Sequence, residues 1–267
     1  MPIWIIIVLL GIVEGITEFL PVSSTGHLLI AERWLNTHQS DLFNIVIQSG
    51  AVLAVLPLFH DRLHQFFFKW RERATQDYLA KVLVAFVITG IGGLILEKKG
   101  FKLPEELKPV AVALLVGGVG FIVVEAWLRG RTLADNVTWM MALAVGLGQL
   151  LAAVFPGTSR SGATILLCLL LGLNRSAATE YCFLVGIPTM LAAGGWKIFQ
   201  AFHHPIPGAE PEHWDMVILG SVVSAVVSFI AVKWLLGYIR THTFTIFGWY
   251  RVVLAALIAV MLMRGWR

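Results

Sequence analysis

Charge is scarce in this chain. Of its 267 residues only 13% are Asp, Glu, Lys or Arg, against roughly 25% in a soluble domain. With 58% hydrophobic residues beside it, that shortage excludes a water-soluble globular domain. The apolar runs are too many and too long for one buried core, so the chain reads as an integral membrane protein. Cysteine is nearly missing: Cys168 and Cys182 are the two present, both inside apolar stretches, which fits buried free thiols. No basic segment precedes the first apolar stretch and no small-residue cleavage pattern follows it, so that stretch is expected to stay in the mature protein. There is no P-loop, no GxSxG elbow and no Cys/His metal spacing. The net charge of +4 is small and spread over short loops. It fits membrane topology and gives no reason to expect a nucleic-acid partner. Ten Trp suit interfacial anchoring in a lipid bilayer.

What is present is a broken, polar-tipped apolar segment that occurs twice. Gly11–Leu28 reads GIVEGITEFLPVSSTGHL, and Gly146–Ala163 reads GLGQLLAAVFPGTSRSGA at an offset of 135 residues. That offset sets Gly11 on Gly146, Glu14 on Gln149, Pro21 on Pro156, Ser23 on Thr158, Ser24 on Ser159 and Thr25 on Arg160. Residues 3–20 are long enough to span a bilayer, but the next apolar piece, 28–35, is far too short to return. Together they predict a re-entrant pair whose irregular tip is tolerated only where protein or a water-filled cavity satisfies its backbone. Spans follow at about 41–59, 81–96 and 109–128; then a second re-entrant pair at 138–155 and 162–172; then spans at about 176–199, 215–237 and 248–264.

Each half is thus one re-entrant helical hairpin plus three transmembrane helices. An odd number of crossings turns the second half upside down. The expected fold is an all-α polytopic membrane protein, one membrane domain over 1–267 built as an inverted-topology repeat. One half covers 1–135 with its tip at 20–27, the other 136–267 with its tip at 155–162. Short, Pro-interrupted segments at matching places are where such folds place their ligand site, near mid-membrane. Arg62, Lys69, Arg71, Arg73, Arg129, Arg131, Arg175 and Arg240 collect on one side; Arg33, Lys98, Lys99, Lys102, Lys108, Arg264 and Arg267 collect on the other. The positive-inside rule leans to the first set as cytoplasmic, with both termini outside.

Glu14 and Glu18 are four apart and share one helical face. Two carboxylates so placed repel unless a cation or proton lies between them. They read as a divalent-cation site, with oxygen ligands suited to Mg²⁺ or Ca²⁺, or as a general base; the plainer alternative is two glutamates facing water at the interface. Ser23, Ser24, Thr25, Gly26 and His27 sit where a new helix starts, so free N–H groups and hydroxyls are placed to take an anion, or simply to cap the helix. His27 is a candidate acid, base or nucleophile toward phosphorus, or a structural histidine. Arg160, flanked by Ser159 and Ser161 in an otherwise uncharged region, calls for an anionic partner whose geometry its planar fork matches, phosphate or carboxylate. An internal ion pair with Glu14 or Glu18 is the competing use. Carboxylates on one tip, arginine and hydroxyls on the other, suggest a metal-bridged phosphate.

Weaker candidates are His203, His204, Glu210, Glu212, His213 and Asp215, a proline-rich connector more than a metal site, and Gln48, Glu125 and Glu180 beside the spans. Gly90, Gly92, Gly93, Gly117, Gly118 and Gly120 are expected to permit close helix packing.

Glu14–His27, EGITEFLPVSSTGH, and Pro156–Thr164, PGTSRSGAT, resemble the two motifs of the undecaprenyl-diphosphate phosphatase family, also called bacitracin-resistance proteins, and the likeness in length and span order covers essentially the whole chain. The resemblance implies hydrolysis of a polyprenyl diphosphate, undecaprenyl diphosphate, to undecaprenyl phosphate and inorganic phosphate. It implies a multi-pass protein of the bacterial inner membrane that recycles the lipid carrier for peptidoglycan, its site facing the periplasm. Carried over residue by residue, the family's functional residues fall on Glu14, Glu18, Ser24, His27, Ser159 and Arg160; Glu14, Glu18, Ser24, His27 and Arg160 are expected to be catalytic and Ser159 to contact substrate. The neighbouring Ser23, Thr25, Ser161 and Thr164 are added as expected substrate contacts, and Glu14 and Glu18 are the expected metal ligands. Membrane acid phosphatases also use Ser-Gly-His and Ser-Arg elements, but Leu166 stands six residues after Arg160 where they place a histidine, which argues against that class. Whether Ser24, His27 or an activated water attacks stays open. So does a polyprenyl-phosphate transporter as an alternative function, and a homodimer as the assembled form.

Overall fold

The computed structural model describes residues 1–101, 106–204 and 212–265. Lys102, Glu210 and Arg267, named above, and the connector's Pro205, Pro207 and Pro211 lie outside the described residues. The protein is an all-α polytopic membrane protein. Its helices are α1 (Ile3–Thr17), α2 (Ser24–Trp34), α3 (Asp41–Val55), α4 (His60–Phe68), α5 (Arg73–Lys98), α6 (Leu107–Trp127), α7 (Trp139–Val154), α8 (Arg160–Leu170), α9 (Arg175–His203), α10 (Trp214–Tyr238) and α11 (Thr245–Met263). Among the described residues six segments are long and apolar enough to cross a membrane: α3 continued through α4, then α5, α6, α9, α10 and α11.

The other four helices do not cross. At about 1.5 Å per residue, the 15 residues of α1 and the 11 of α2 each fall short of a hydrocarbon core of roughly 30 Å. The same holds for α7 and α8, with 16 and 11 residues. These are the two hairpins expected from the broken segments.

Local chemistry sets the boundaries. Ser40 caps α3 by accepting the Phe43 N–H at 3.0 Å, and Asn174 caps α9 by accepting that of Ala177 at 2.9 Å. Pro57, which lacks an N–H, sits where α3 tightens into a single 3₁₀ turn, Leu56–Phe59, before α4. Pro188 lies inside α9 without ending it. Two expectations need correcting. The segment expected at 81–96 begins at Arg73, and Arg62 belongs to α4, so most of the stretch between the spans expected at 41–59 and 81–96 is helix. Apolar windows mark only the lipid-facing middle of a helix whose charged ends continue into the interface.

The packing is crossed between halves. α1 lies on α10, whereas α7 lies on α5, and α3 meets both α9 and α10. Small residues permit these approaches: a β-carbon at Gly11 would stand 2.9 Å from the Gly220 carbonyl oxygen, and one at Gly146 would stand 3.0 Å from that of Ala85. α6 and α11 meet reciprocally. A β-carbon at Gly118 would lie 2.7 Å from Gly248 O, and one at Gly248 would lie 2.8 Å from Gly118 O. Gly90 and Gly93 are different: nothing stands within 4 Å of the place where a β-carbon would go, so neither serves helix packing. Cys168 and Cys182 are free and buried, with their sulfurs 3.8 Å apart.

Candidate active site

The two breaks between hairpin helices meet inside the protein. Ser161 Oγ donates toward the backbone oxygens of Leu20, at 3.2 Å, and Glu18, at 3.4 Å. Both tips are built alike. Ser23 caps α2 and accepts the Gly26 N–H at 3.3 Å; Ser159 caps α8 and accepts the Gly162 N–H at 3.1 Å. Each capping serine has a positive φ, 75° and 68°, a conformation that costs about 1–3 kcal/mol in a non-glycine residue and collects at functional sites.

This geometry corrects the sequence register. The offset of 135 holds along α1 and α7, where Gly11 and Gly146 make their matching contacts. At the tips the caps pair Ser23 with Ser159, and the first helical residues pair Ser24 with Arg160, an offset of 136. The extra residue is Gly157, at φ 90°, where a β-carbon would stand 2.7 Å from Val110 Cα. Only glycine fits there. The expected pairs Ser23 with Thr158, Ser24 with Ser159 and Thr25 with Arg160 are therefore each one place out.

Glu18 is the hub. It is buried, and the Ser24 hydroxyl donates to its Oε2 in a short contact. Arg160 Nη2 stands 3.7 Å from its Oε1 and also donates to Gln48 Oε1 at 3.3 Å. The Arg160 side chain keeps 30% of its surface open, so it is not consumed by these partners. Glu14, one turn deeper, is 0% exposed. Neither of its oxygens finds a hydrogen-bond donor among the described residues. In α7 the corresponding Gln149 donates to Thr89 Oγ1 at 3.1 Å.

His27 is held at both ring nitrogens, Nδ1 at 2.7 Å from Ser23 O and Nε2 at 2.7 Å from Tyr250 Oη. A carbonyl only accepts, so Nδ1 carries the proton, and in the neutral ring the Tyr250 hydroxyl donates to Nε2. The lone pair that would attack phosphorus is thereby covered. Thr164 Oγ1 donates to the Arg160 and Ser161 carbonyl oxygens, 2.8 and 3.2 Å away, so its hydroxyl is used on its own helix. Thr25 lies in the first turn of α2, half-buried.

Three residues of this neighbourhood escaped the sequence reading or were underweighted. Gln48 was noted only as lying beside a span. Tyr250 and Arg251 are consecutive on α11; Arg251, a charge inside the apolar span expected at 248–264, is a signal of the same kind as Arg160, whereas Tyr250 stands more than 220 residues from the first tip and carries none. Arg251 is 0% exposed and bonds both tips. Elsewhere, Glu125 pairs bidentately with Arg175 and accepts the Phe244 N–H, and Glu180 pairs with Arg62. A polar cavity of about 550 Å³, lined by Arg62, Arg175, Glu180 and Arg240 among others, lies apart from the tips, and two of its arginines, Arg62 and Arg175, are already paired. Among the described residues no three His, Cys, Asp or Glu side chains converge as a metal cage.

The comparisons with known proteins agree along the whole chain. The family model described as bacitracin resistance protein BacA matches residues 7–257. A Rhizobium etli protein named undecaprenyl-diphosphatase is 52% identical over 258 residues, covering 96% of each chain. One of the same name from Xanthomonas axonopodis pv. citri is 51% identical over 255 residues, covering 95% of each.

Proposed function

Because the chain belongs to the bacitracin resistance protein BacA family, we infer that it is an undecaprenyl-diphosphatase like its curated relatives, with its reaction centre between the two tips. It hydrolyses undecaprenyl diphosphate to undecaprenyl phosphate and inorganic phosphate, which returns the lipid carrier to peptidoglycan synthesis and underlies bacitracin resistance.

The observation that carries the mechanism is the Ser24 hydroxyl donating to Glu18, with Arg160 facing the other oxygen of the same carboxylate. A nucleophile bonded to a base is the arrangement covalent catalysis needs. The terminal phosphoryl group sits between the tips, its oxygens bound by the Arg160 fork and the hydroxyls and free N–H groups at the starts of α2 and α8. Ser24 Oγ attacks phosphorus while its proton passes to Glu18. The bond from phosphorus to the bridging oxygen breaks and undecaprenyl phosphate leaves. The departing undecaprenyl phosphate takes that proton from Glu18, which is again a carboxylate. Glu18 then takes a proton from water as the water attacks the phosphoserine, and returns it to Ser24 Oγ as inorganic phosphate is released. The Tyr250–His27 bond favours Ser24 over His27 as nucleophile and leaves His27 to orient the first tip through Ser23. Arg160 stabilises charge that grows on the transferring group.

The unpartnered oxygens of Glu14 fit a divalent cation shared with Glu18. Two carboxylates suit Mg²⁺ or Ca²⁺, which take further oxygens from water and phosphate. When bound, such an ion supplies neutralisation of the diphosphate.

The reading includes two inverted halves, 1–135 and 136–267, supported by the crossed packing of α1 on α10 and α7 on α5. It places the protein in the bacterial inner membrane with the reaction facing the periplasm, supported by the larger cluster of basic residues on the opposite side. Both tips, α3 and α11 belong to one chain, so the reading calls for no second copy. The test is phosphate release from a polyprenyl diphosphate by purified protein, with trapping of phosphoserine. Wild-type turnover by Ser24→Ala sinks the serine mechanism. Lipid movement across liposomes without phosphate release would instead favour a transporter.

A further inference from the structure

Arg251 is a cation in the middle of α11 with 0% exposure. Among the described residues no carboxylate pairs with it, and the partners of its guanidinium are backbone carbonyls. Nη1 donates to Pro21 O of the first tip at 3.2 Å. Nη2 faces Thr158 O at 2.9 Å and Gly157 O at 3.3 Å, both in the second tip, and Ala113 O of α6 at 3.1 Å; Nε reaches Leu114 O at 3.4 Å. One planar fork thus touches both re-entrant tips and the helix behind them. Three glycines make its slot. A β-carbon at Gly117 would collide with Nη2, one at Gly162 would lie 2.7 Å from Nη1, and one at Gly118 would lie 3.0 Å from Arg251 Cβ.

An ionisable side chain buried in a membrane segment is expensive and marks function more often than packing. α6 and α11 already meet through Gly118 and Gly248, so an apolar side chain would hold these two helices without that cost. The guanidinium adds something else. It fixes the Thr158 carbonyl just before Ser159 and the Pro21 carbonyl two residues before Ser23, the two strained caps. Strained backbone persists only where its surroundings over-determine it. A trans peptide also points its C=O and the following N–H in opposite directions. Holding Thr158 O against Arg251 therefore turns the Ser159 N–H away from it.

We propose that Arg251 is a positioning residue for the phosphatase reaction: it clamps the two tips to each other and to α6, and so sets the spacing across which Glu18, Ser24 and Arg160 meet one phosphoryl group. This rests on the reading of the tips as the reaction centre. Lysine keeps the charge but has no planar fork to bridge three elements.

The test uses the full-length protein, measuring kcat and KM for phosphate release together with thermal unfolding, in Arg251→Lys, Gly117→Ala and Arg160→Ala. Gly117→Ala leaves the arginine in place and pushes its guanidinium off the carbonyls, so it decides the matter if Arg251→Lys does not fold. Misplacing reacting groups by about 1 Å costs roughly 10²-fold in rate. Arg251→Lys and Gly117→Ala are expected to lose about that much kcat with KM unmoved, the pattern of lost transition-state alignment. Wild-type kcat in folded Arg251→Lys and in Gly117→Ala, beside an inactive Arg160→Ala, overturns the clamp and leaves the reaction centre standing. A loss confined to KM or to melting temperature overturns it equally.

Discussion

Glu14→Gln separates a metal ligand from a structural carboxylate more sharply than any other single substitution. Wild-type Glu14 is 0% exposed and both of its oxygens lack a donor among the described residues. An unsatisfied buried polar group costs about 1–3 kcal/mol, and more when it is charged. The second half shows what an amide does at the corresponding place, where Gln149 donates to Thr89. Along the same offset α10 presents Ser224, whose Oγ is also without a partner. An amide at position 14 is therefore expected to find a partner where the carboxyl group has none. In EDTA the variant should be more stable than wild type by about 1–3 kcal/mol, which for a chain of this size is a melting temperature higher by roughly 2–5 °C. A cation at a hundred times its Kd adds about 2.7 kcal/mol to wild type, and the variant should lose most of that gain and most of its activity. The assay is thermal unfolding of the purified protein in detergent, in EDTA and then across a Mg²⁺ or Ca²⁺ titration. A variant that melts below wild type in EDTA, or that shows an undiminished metal shift, refutes the reasoning.

Other substitutions should behave as follows. Glu18→Gln keeps the shape but removes the base, so phosphate release should fall by about 10²–10⁴-fold with the melting temperature little changed; wild-type turnover would remove Glu18 from proton transfer. Thr164→Ala should keep KM near wild type, because its hydroxyl bonds the carbonyls of its own helix; a large rise in KM would return it to substrate binding. Gly50→Ala should destabilise the fold, since its β-carbon would stand 2.6 Å from the Ser221 carbonyl oxygen across the α3–α10 seam, and an unchanged melting temperature would show that the seam opens freely. Cysteines introduced at His38 and at Gln76, both exposed and at opposite ends of the α3–α4 span, should label from opposite sides of the membrane; labelling of both from one side would break the topology.

The spans and hairpins were legible because apolar length is a property of the local sequence. Their order followed from counting crossings. The tips were legible because Glu14, Glu18, His27 and Arg160 are costly in apolar surroundings and so stand out. The helical ends, such as Arg73 and Arg62, were not, because charged residues that continue a helix look like loop. Gly157 hid the true register, since one inserted residue inside a Pro-Ser turn changes no composition. Arg251 stands out by the same rule as Arg160, as a charge in an apolar span, but its partners, and Tyr250, were hidden for a different reason. Nothing in their own span says what they reach, and only tertiary packing brings α11 against both tips.

Ser24 and Arg160 each open a helix, one residue after a serine of nearly the same backbone angle. The hydroxyl bonded to Glu18 and the guanidinium facing it thus occupy a single structural address filled in two ways. Carrying the hairpin twice in one polypeptide lets the copies diverge, which two identical subunits around a true axis cannot do. One tip carries a hydroxyl beside acid; the other carries a guanidinium and one more residue before its cap. Two tips of like backbone thus present unlike side chains to the space between them.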